Sequence, residues 1–196
     1  MSYIGYVPAA KPLTSADITD GIITNADIAS NAAIDSTKLS GVQGKFESAL
    51  FHVRDEKANN TAGGTATDGA FRTRTLNTVV TNEITGSSLS SNQITLPSGT
   101  YFIIASASAY SINRHKAKLR NITDSSDTII GTTEWCYNTY EGSNRSFVIG
   151  RFTIAAQKVF ELQHSVGSTN STTGFGLAAN SGVIEVYSDV QIWKVA

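Results

Sequence analysis

The stretch ITLPSGTYFIIASASAY, residues 94–110, limits the possible fold more than any other part of the chain. Pro97, Ser98 and Gly99 punctuate it. Proline presets φ and glycine tolerates positive φ, so a tight turn separates a short strand from a long one. After the turn the side chains alternate with the period of a strand. Tyr101, Ile103, Ala105, Ala107 and Ala109 share one face, which is wholly apolar and therefore expected in a core. Phe102, Ile104, Ser106, Ser108 and Tyr110 share the other, which begins apolar and becomes small and hydroxylated. Ala and Ser on both faces let a second backbone come close. That suits the middle of a sandwich or a subunit interface, and does not suit a catalytic pocket.

The rest of the C-terminal three quarters follows the same pattern. Strands are predicted at 49–54, 76–83, 93–96, 100–110, 115–122, 128–135, 145–154, 159–164 and 183–195, with turn-rich segments at 59–69, 86–92, 124–127 and 167–173. Ser, Thr, Asn, Gly and Ala are plentiful and no convincing helix occurs, so the expectation is an all-β sandwich or barrel over residues 45–196. In the last strand, Ile184, Val186, Val190 and Ile192 share a face expected in the core. Glu185, Tyr187, Asp189, Gln191 and Trp193 share the other. Tyr and Trp carry an apolar ring with a polar handle, so Tyr187 and Trp193 read as interface residues, the alternative being a solvated face.

Residues 1–44 differ in kind. Residues 1–14, MSYIGYVPAAKPLT, form an extended opening segment, either without fixed structure or an anchor that orders on docking. In residues 15–44, Ser15-Ala16-Asp17-Ile18 returns as Asn25-Ala26-Asp27-Ile28, and Ile18, Ile23, Ile28, Ile34 and Leu39 recur about every five residues among polar ones. One such strip buries too little apolar surface to offset chain entropy. Repeats of this kind gain stability by association, so three copies with their isoleucines inward would make a thin shaft. A flexible linker is the other reading, although a linker has no need of regular isoleucines. Ser40-Gly41-Val42-Gln43-Gly44 then reads as a hinge.

Composition excludes several functions. Net charge is −1 and only 16% of residues are charged, so no basic field exists to attract nucleic acid. The single Cys136 allows neither an internal disulfide nor a CxxC zinc pattern. No basic and apolar leader opens the chain and no apolar run could span a bilayer, so a soluble protein without an ordinary export signal or membrane insertion is expected. His52, His115 and His164 belong to no metal motif, and no metal or cofactor is expected. His115 reads as solvated and His164 as a core or interface residue. No GxSxG, P-loop or dinucleotide fingerprint occurs, and Gly174-Phe175-Gly176 reads as a turn, so the chain is not expected to be an enzyme.

Binding candidates are two. The segment WCYNTYEGSNR places Trp135, Tyr137 and Tyr140 among Asn138, Glu141, Asn144 and Arg145. Aromatic faces take sugar rings, and amide or charged groups take hydroxyls. Packing of these aromatics beneath the loop or between subunits is the competing explanation. Asn113, Arg114 and His115 form a second, shorter candidate.

The globular part resembles the jelly-roll heads of the tumour necrosis factor and complement-globular-head superfamily, in the version found on bacteriophage tail fibres. The resemblance lies in Leu96-Pro97-Ser98-Gly99-Thr100-Tyr101, Lys118-Leu119-Arg120-Asn121-Ile122-Thr123-Asp124, Phe160-Glu161-Leu162-Gln163-His164, Gly174-Phe175-Gly176, Glu185-Val186-Tyr187 and Ile192-Trp193-Lys194-Val195. The repeat in residues 20–39 is similar to shaft or neck segments of the same fibres, and Ser2-Tyr3-Ile4-Gly5 is also phage-like. What the resemblance implies is a jelly-roll β-sandwich head behind an extended trimeric shaft. It implies a homotrimer made in the bacterial host cytoplasm and carried on the virion tail. Its N-terminal segment would join other tail proteins, and its head would bind a host-surface receptor, a glycan or a protein. A decoration or connector fibre without a receptor of its own is the alternative. The family brings no catalytic residues with it.

Overall fold

The computed structural model describes residues 49–138 and 142–195. The chain divides between Lys45 and Phe46. The anchor and shaft assignments, with Ile18, Ile23, Ile28, Ile34 and Leu39, lie outside the described residues, as do Tyr140 and Glu141.

The described head is all-β. Its strands are β1 (Leu50–Lys57), β2 (Arg72–Thr73), β3 (Thr78–Asn82), β4 (Ser88–Ser90), β5 (Gln93–Leu96), β6 (Gly99–Tyr110), β7 (Asn113–Asn121), β8 (Ser126–Cys136), β9 (Ser143–Ile154), β10 (Lys158–Val166) and β11 (Glu185–Lys194). The first sheet has the order β3-β1-β11-β6-β9 and the second β4-β5-β10-β7-β8, with β2 added on β10. All pairings are antiparallel. Most sheet neighbours are distant in sequence, as β1 and β11 are, because successive strands repeatedly change sheets. That strand order makes the head a jelly roll. The turn at Pro97 to Gly99 therefore does not close a hairpin. It carries the chain from β5 in the second sheet to β6 in the first.

The alternation in β6 decides where the core lies. Tyr101, Ile103, Ala105, Ala107 and Ala109 are all at most 1% exposed. All but Ala109 pack with Phe51, Val53, Leu119, Val148, Phe160, Leu162, Val190 and Ile192 from both sheets. Each large apolar side chain so buried contributes about 1.5–3 kcal/mol. A smaller cluster at one end joins Ala66, Ala109, Ile112, Cys136 and Val166, with Phe175 against it. On the opposite face of β6, Ser108 donates its hydroxyl to Phe175 O. The backbone expected to approach those small residues is thus the chain's own.

One side of the sandwich is closed by side chains. Ser146 Oγ on β9 donates to Thr132 O of β8 (2.7 Å) and accepts from Ala117 N of β7 (2.9 Å). Phe147 N donates to Thr132 Oγ1 (3.0 Å). Only glycine permits this approach at residue 131. A Cβ there would stand 2.5 Å from Phe147 O and 2.7 Å from Ala117 O.

Two expectations for β11 need correction. Asp55 pairs with Ser188 but Glu56 pairs with Val186, so Tyr187 is an extra residue in a bulge. The bulge breaks the alternation that put Tyr187 beside Trp193. Tyr187 is buried, its hydroxyl donates to Thr61 O (2.7 Å), and Gly176 lies so close that a Cβ would meet Tyr187 Cδ1 at 2.2 Å. It is not exposed interface surface. Ile184, expected in the core, precedes the strand and is 52% exposed, and Val186 is only partly buried.

Candidate functional site

Strand β7 builds the candidate site. Its inward residues His115, Ala117, Leu119 and Asn121 are buried, so the intervening Arg114, Lys116, Lys118 and Arg120 stand on the outer face of the second sheet. Residues paired across an antiparallel ladder project to the same side. Trp135 pairs with Arg114, and Lys116 lies between Thr133 of β8 and Ser165 of β10. The outer face therefore carries one row Ser165–Lys116–Thr133 and beside it Arg114–Trp135. Trp135 and Tyr137 meet edge to face at 6.4 Å, and both are more than half exposed.

Phe71 supplies an apolar wall over these rows. It lines a cleft of about 260 Å³ with Arg114, His115, Lys116, Thr133, Ser165 and Val166. An adjoining cleft shares Phe71, Arg114, Ser165 and Val166 and adds Asp68 and Gly167. Gly167 leaves room for the Arg114 stem, since a Cβ there would stand 2.7 Å from Arg114 Cγ. The four cations are not equivalent. Lys118 Nζ and Arg120 Nη1 both lie 2.8 Å from Asp127 Oδ1, and Lys118 also rests 4.0 Å from the Phe71 ring centroid. Arg114 and Lys116 have no hydrogen-bond or ion-pair partner among the described residues.

The sequence candidates separate on this frame. Arg114, Trp135 and Tyr137 come together, with the exposed Asn138 following in the chain. Asn113 does not face the cleft but donates to Ser168 Oγ (2.6 Å). Asn144 is a clamp: its Oδ1 is 2.6 Å from His115 Nε2 and its Nδ2 donates to Trp135 O (3.1 Å). Arg145 bonds Ser106 Oγ and Val186 O, groups of the first sheet, and lines a different cleft with Glu185 and Leu177. Phe71, Lys116, Thr133 and Ser165 went unmarked in the sequence. They lie far apart in the chain, and only the pairing of β7 with β8 and β10, and of β2 with β10, unites them.

Behind the cleft lies a buried polar group. His115, read as solvated, is 3% exposed because it alternates inward on β7. Its Nδ1 is 2.9 Å from His164 Nε2. Asn144 presents its oxygen, so His115 carries its proton on Nε2 and accepts at Nδ1 from His164 Nε2–H. This leaves His164 Nδ1 buried without a hydrogen bond. His164 stacks on Phe175, and the Arg74 guanidinium lies 3.9 Å from the other partner of that stack, the Phe175 ring centroid. Arg74 is fully buried. Its Nε donates to Ser188 Oγ (3.0 Å), Nη1 to Ser108 O (3.2 Å), and Nη2 to Tyr187 O (3.3 Å) and Phe175 O (3.4 Å). Burial pulls its pKa down to about 9, with Asp55 opposing, so it remains a cation at neutral pH. Asp55 is itself raised by burial against the pull of Lys57, 3.4 Å away, and Arg74. Lys57 sits at ion-pair distance but makes no hydrogen bond to Asp55 Oδ1. Among the described residues no three His, Cys, Asp or Glu side chains converge as a metal-ligand set.

The burial of these histidines predicts a head that loses stability in acid. Burial holds His164 well below its ordinary value, helped by Arg74 and His115. Burial also lowers His115, against hydrogen bonding from Asn144 and the charge of Glu134. Below about pH 6.5 the unfolded chain takes up protons that the folded head refuses. The stability they contribute is thus full above about pH 6.5 and declines as pH falls. Asp55, raised from 3.8, has the opposite sign and acts at the acid end. Urea midpoints measured from pH 7.5 to 5 should fall steadily, and His164→Gln should flatten that slope. A flat parent profile would contradict the reading.

No family model and no curated protein matches the sequence. Among solved structures, the globular domain of zebrafish complement 1qA protein is similar at 11% identity and a TM-score of 0.49, covering 76% of this chain and 98% of that one. Murine APRIL at pH 5.0 is similar at 8% identity and a TM-score of 0.48, covering 74% and 98%. The Eiger TNF of S. frugiperda is similar at 11% identity and a TM-score of 0.48, covering 76% and 92%. The strand order alone makes this head a jelly roll, independently of these likenesses.

Proposed function

We propose that the protein is a homotrimeric bacteriophage tail-fibre head that binds a host-surface glycan through the outer face of its second sheet. The observation that carries the binding reading is the outward Trp135–Tyr137 pair, with Trp135 paired across the ladder to Arg114, which lines a cleft. A half-exposed Trp in that position leaves part of its ring open, and an apolar ring flanked by polar groups suits a sugar. The fibre reading is supported by the isoleucine repeat that precedes the head in the sequence.

The trimer reading is supported by the outer face of the first sheet. Cross-strand pairing sets Trp193 beside Phe102, Ile104 beside Ile149, and Ser106 beside Phe147. Ile104, Phe147 and Ile149 are 39%, 40% and 54% exposed, and Phe102 and Trp193 rings lie 6.2 Å apart. A contiguous apolar patch of this kind marks a protein contact. Trimer formation through it leaves the Trp135 face outward.

Adsorption of the full chain to candidate host cells, and its competition with phage, tests the function. Trp135→Ala is expected to weaken adsorption about tenfold or more, the loss of an apolar contact worth roughly 1.5–3 kcal/mol. Undiminished adsorption by this variant would place the receptor site elsewhere. Absence of adsorption by the parent on every host would favour a connector or decoration role.

A further inference from the structure

We propose that the cleft between Phe71, Arg114 and Lys116 selects an acidic sugar, its carboxylate or phosphate held by the two cations and its ring lying against Phe71. The inference rests on the glycan-binding reading above and adds the charge class of the ligand. Four outward cations follow one another on β7, and the fold gives two of them a shared ion-pair partner. Asp127 takes both Lys118 and Arg120, while Arg114 and Lys116 face the cleft without a counter-ion among the described residues. The two cations without an ion pair therefore stand together at one end of the strand, on a protein of net charge −1.

The neighbours of these cations suit a sugar acid better than a bare anion. Lys116 stands between the hydroxyl-bearing Ser165 and Thr133 on its two flanking strands. Arg114 stands beside Trp135. A guanidinium and an ammonium offer directed donors to a carboxylate or phosphate, the hydroxyls meet ring substituents, and Phe71 supplies an apolar wall. A cleft of about 260 Å³ holds a single residue rather than an oligosaccharide. Asp68 lines only the adjoining cleft, where its carboxylate is bonded by Thr169, so it does not neutralise the pair from within the first.

Binding of the full chain to three immobilised polymers decides the matter: polygalacturonate for the carboxylate, a phosphomannan for the phosphate, and dextran as the neutral comparator. Binding is expected to one of the charged polymers and not to dextran. It should fall at least tenfold in Arg114→Ala and in Lys116→Ala, and less in Arg114→Lys. Binding to a charged polymer that these changes leave intact would overturn the proposal, since the charge would then be met elsewhere. Equal binding to dextran would overturn it while leaving the glycan reading in place. Silence on all three polymers, with host adsorption that Arg114→Ala does not disturb, would do the same. Silence together with no host adsorption would overturn both.

Discussion

Arg74→Met is expected to destabilise the head by several kcal/mol, because each buried acceptor left without its donor costs about 1–3 kcal/mol. Against a total stability of about 5–15 kcal/mol, that brings a single domain close to unfolding. Methionine fills much of the volume but satisfies none of the acceptors. The carbonyls of Ser108 and Tyr187 and the hydroxyl of Ser188 would lose the guanidinium donor, and Phe175 O would keep only Ser108 Oγ. Asp55, 1% exposed, would keep only Lys57 as a cation nearby. Guanidinium denaturation should show a large fall in midpoint at neutral pH. Arg74→Lys should recover little, because one ammonium cannot reach acceptors spread over two strands and a loop. Asp55→Asn in the Met background should recover part of the loss, since it removes the stranded charge. A midpoint unchanged in Arg74→Met would mean that the guanidinium is dispensable and the cluster is held by packing alone.

Ile149→Glu is expected to convert the proposed trimer to monomer without unfolding it. Ile149 is 54% exposed in the protomer and lies opposite Ile104 on the patch that also carries Phe147, Phe102 and Trp193. Burying such a side chain contributes about 1.5–3 kcal/mol per copy. A glutamate there forfeits that gain and adds the cost of dehydrating a charge at each of three contacts. Sedimentation velocity should show the mass fall to one chain, with an unchanged circular dichroism spectrum. Lys116→Glu, on the other sheet, should leave the mass alone. Trp193→Ala should weaken assembly, whereas Tyr187→Ala should lower folding stability instead, because Tyr187 is sealed within the protomer. A trimer that persists in Ile149→Glu would assign that patch to another partner.

How far the sequence led depends on whether alternation went unbroken. In β6 no bulge intervenes within the core-facing run, and every residue assigned to the core is buried. In β11 one extra residue at Tyr187 undoes the assignment for everything N-terminal to it, and period-two reading has no means of sensing a bulge. The strands β2 and β4 escaped notice because two- and three-residue edge pairings leave no pattern. His115 was misread for a similar reason: the polar run Asn113-Arg114-His115-Lys116 suggests solvent, yet strand geometry turns every second residue inward. Arg74 was the deepest miss. It sits among Arg72, Thr73 and Thr75, and nothing in that polar run distinguishes a buried guanidinium from a solvated one. In the site, Trp135 and Tyr137 were legible as aromatic rings among polar residues, and Arg114 as part of a short polar run. Phe71 and Ser165 were not, because a cleft assembled across strands has no linear signature.

The seam at Gly131 has a consequence for how copies of this head can meet. An open sheet edge offers unpaired main-chain groups, and crowded copies add strands to such edges without limit. Here the side formed by β8 and β9 is stitched through Thr132, Ser146 and Phe147 N, so those groups are already engaged. The opposite side ends in β3 and β4, five and three residues long, too short to template a foreign strand well. Heads packed together at high local density are thereby directed to contact one another through side chains, and the route to fibrous, open-ended polymerisation is narrow on both sides.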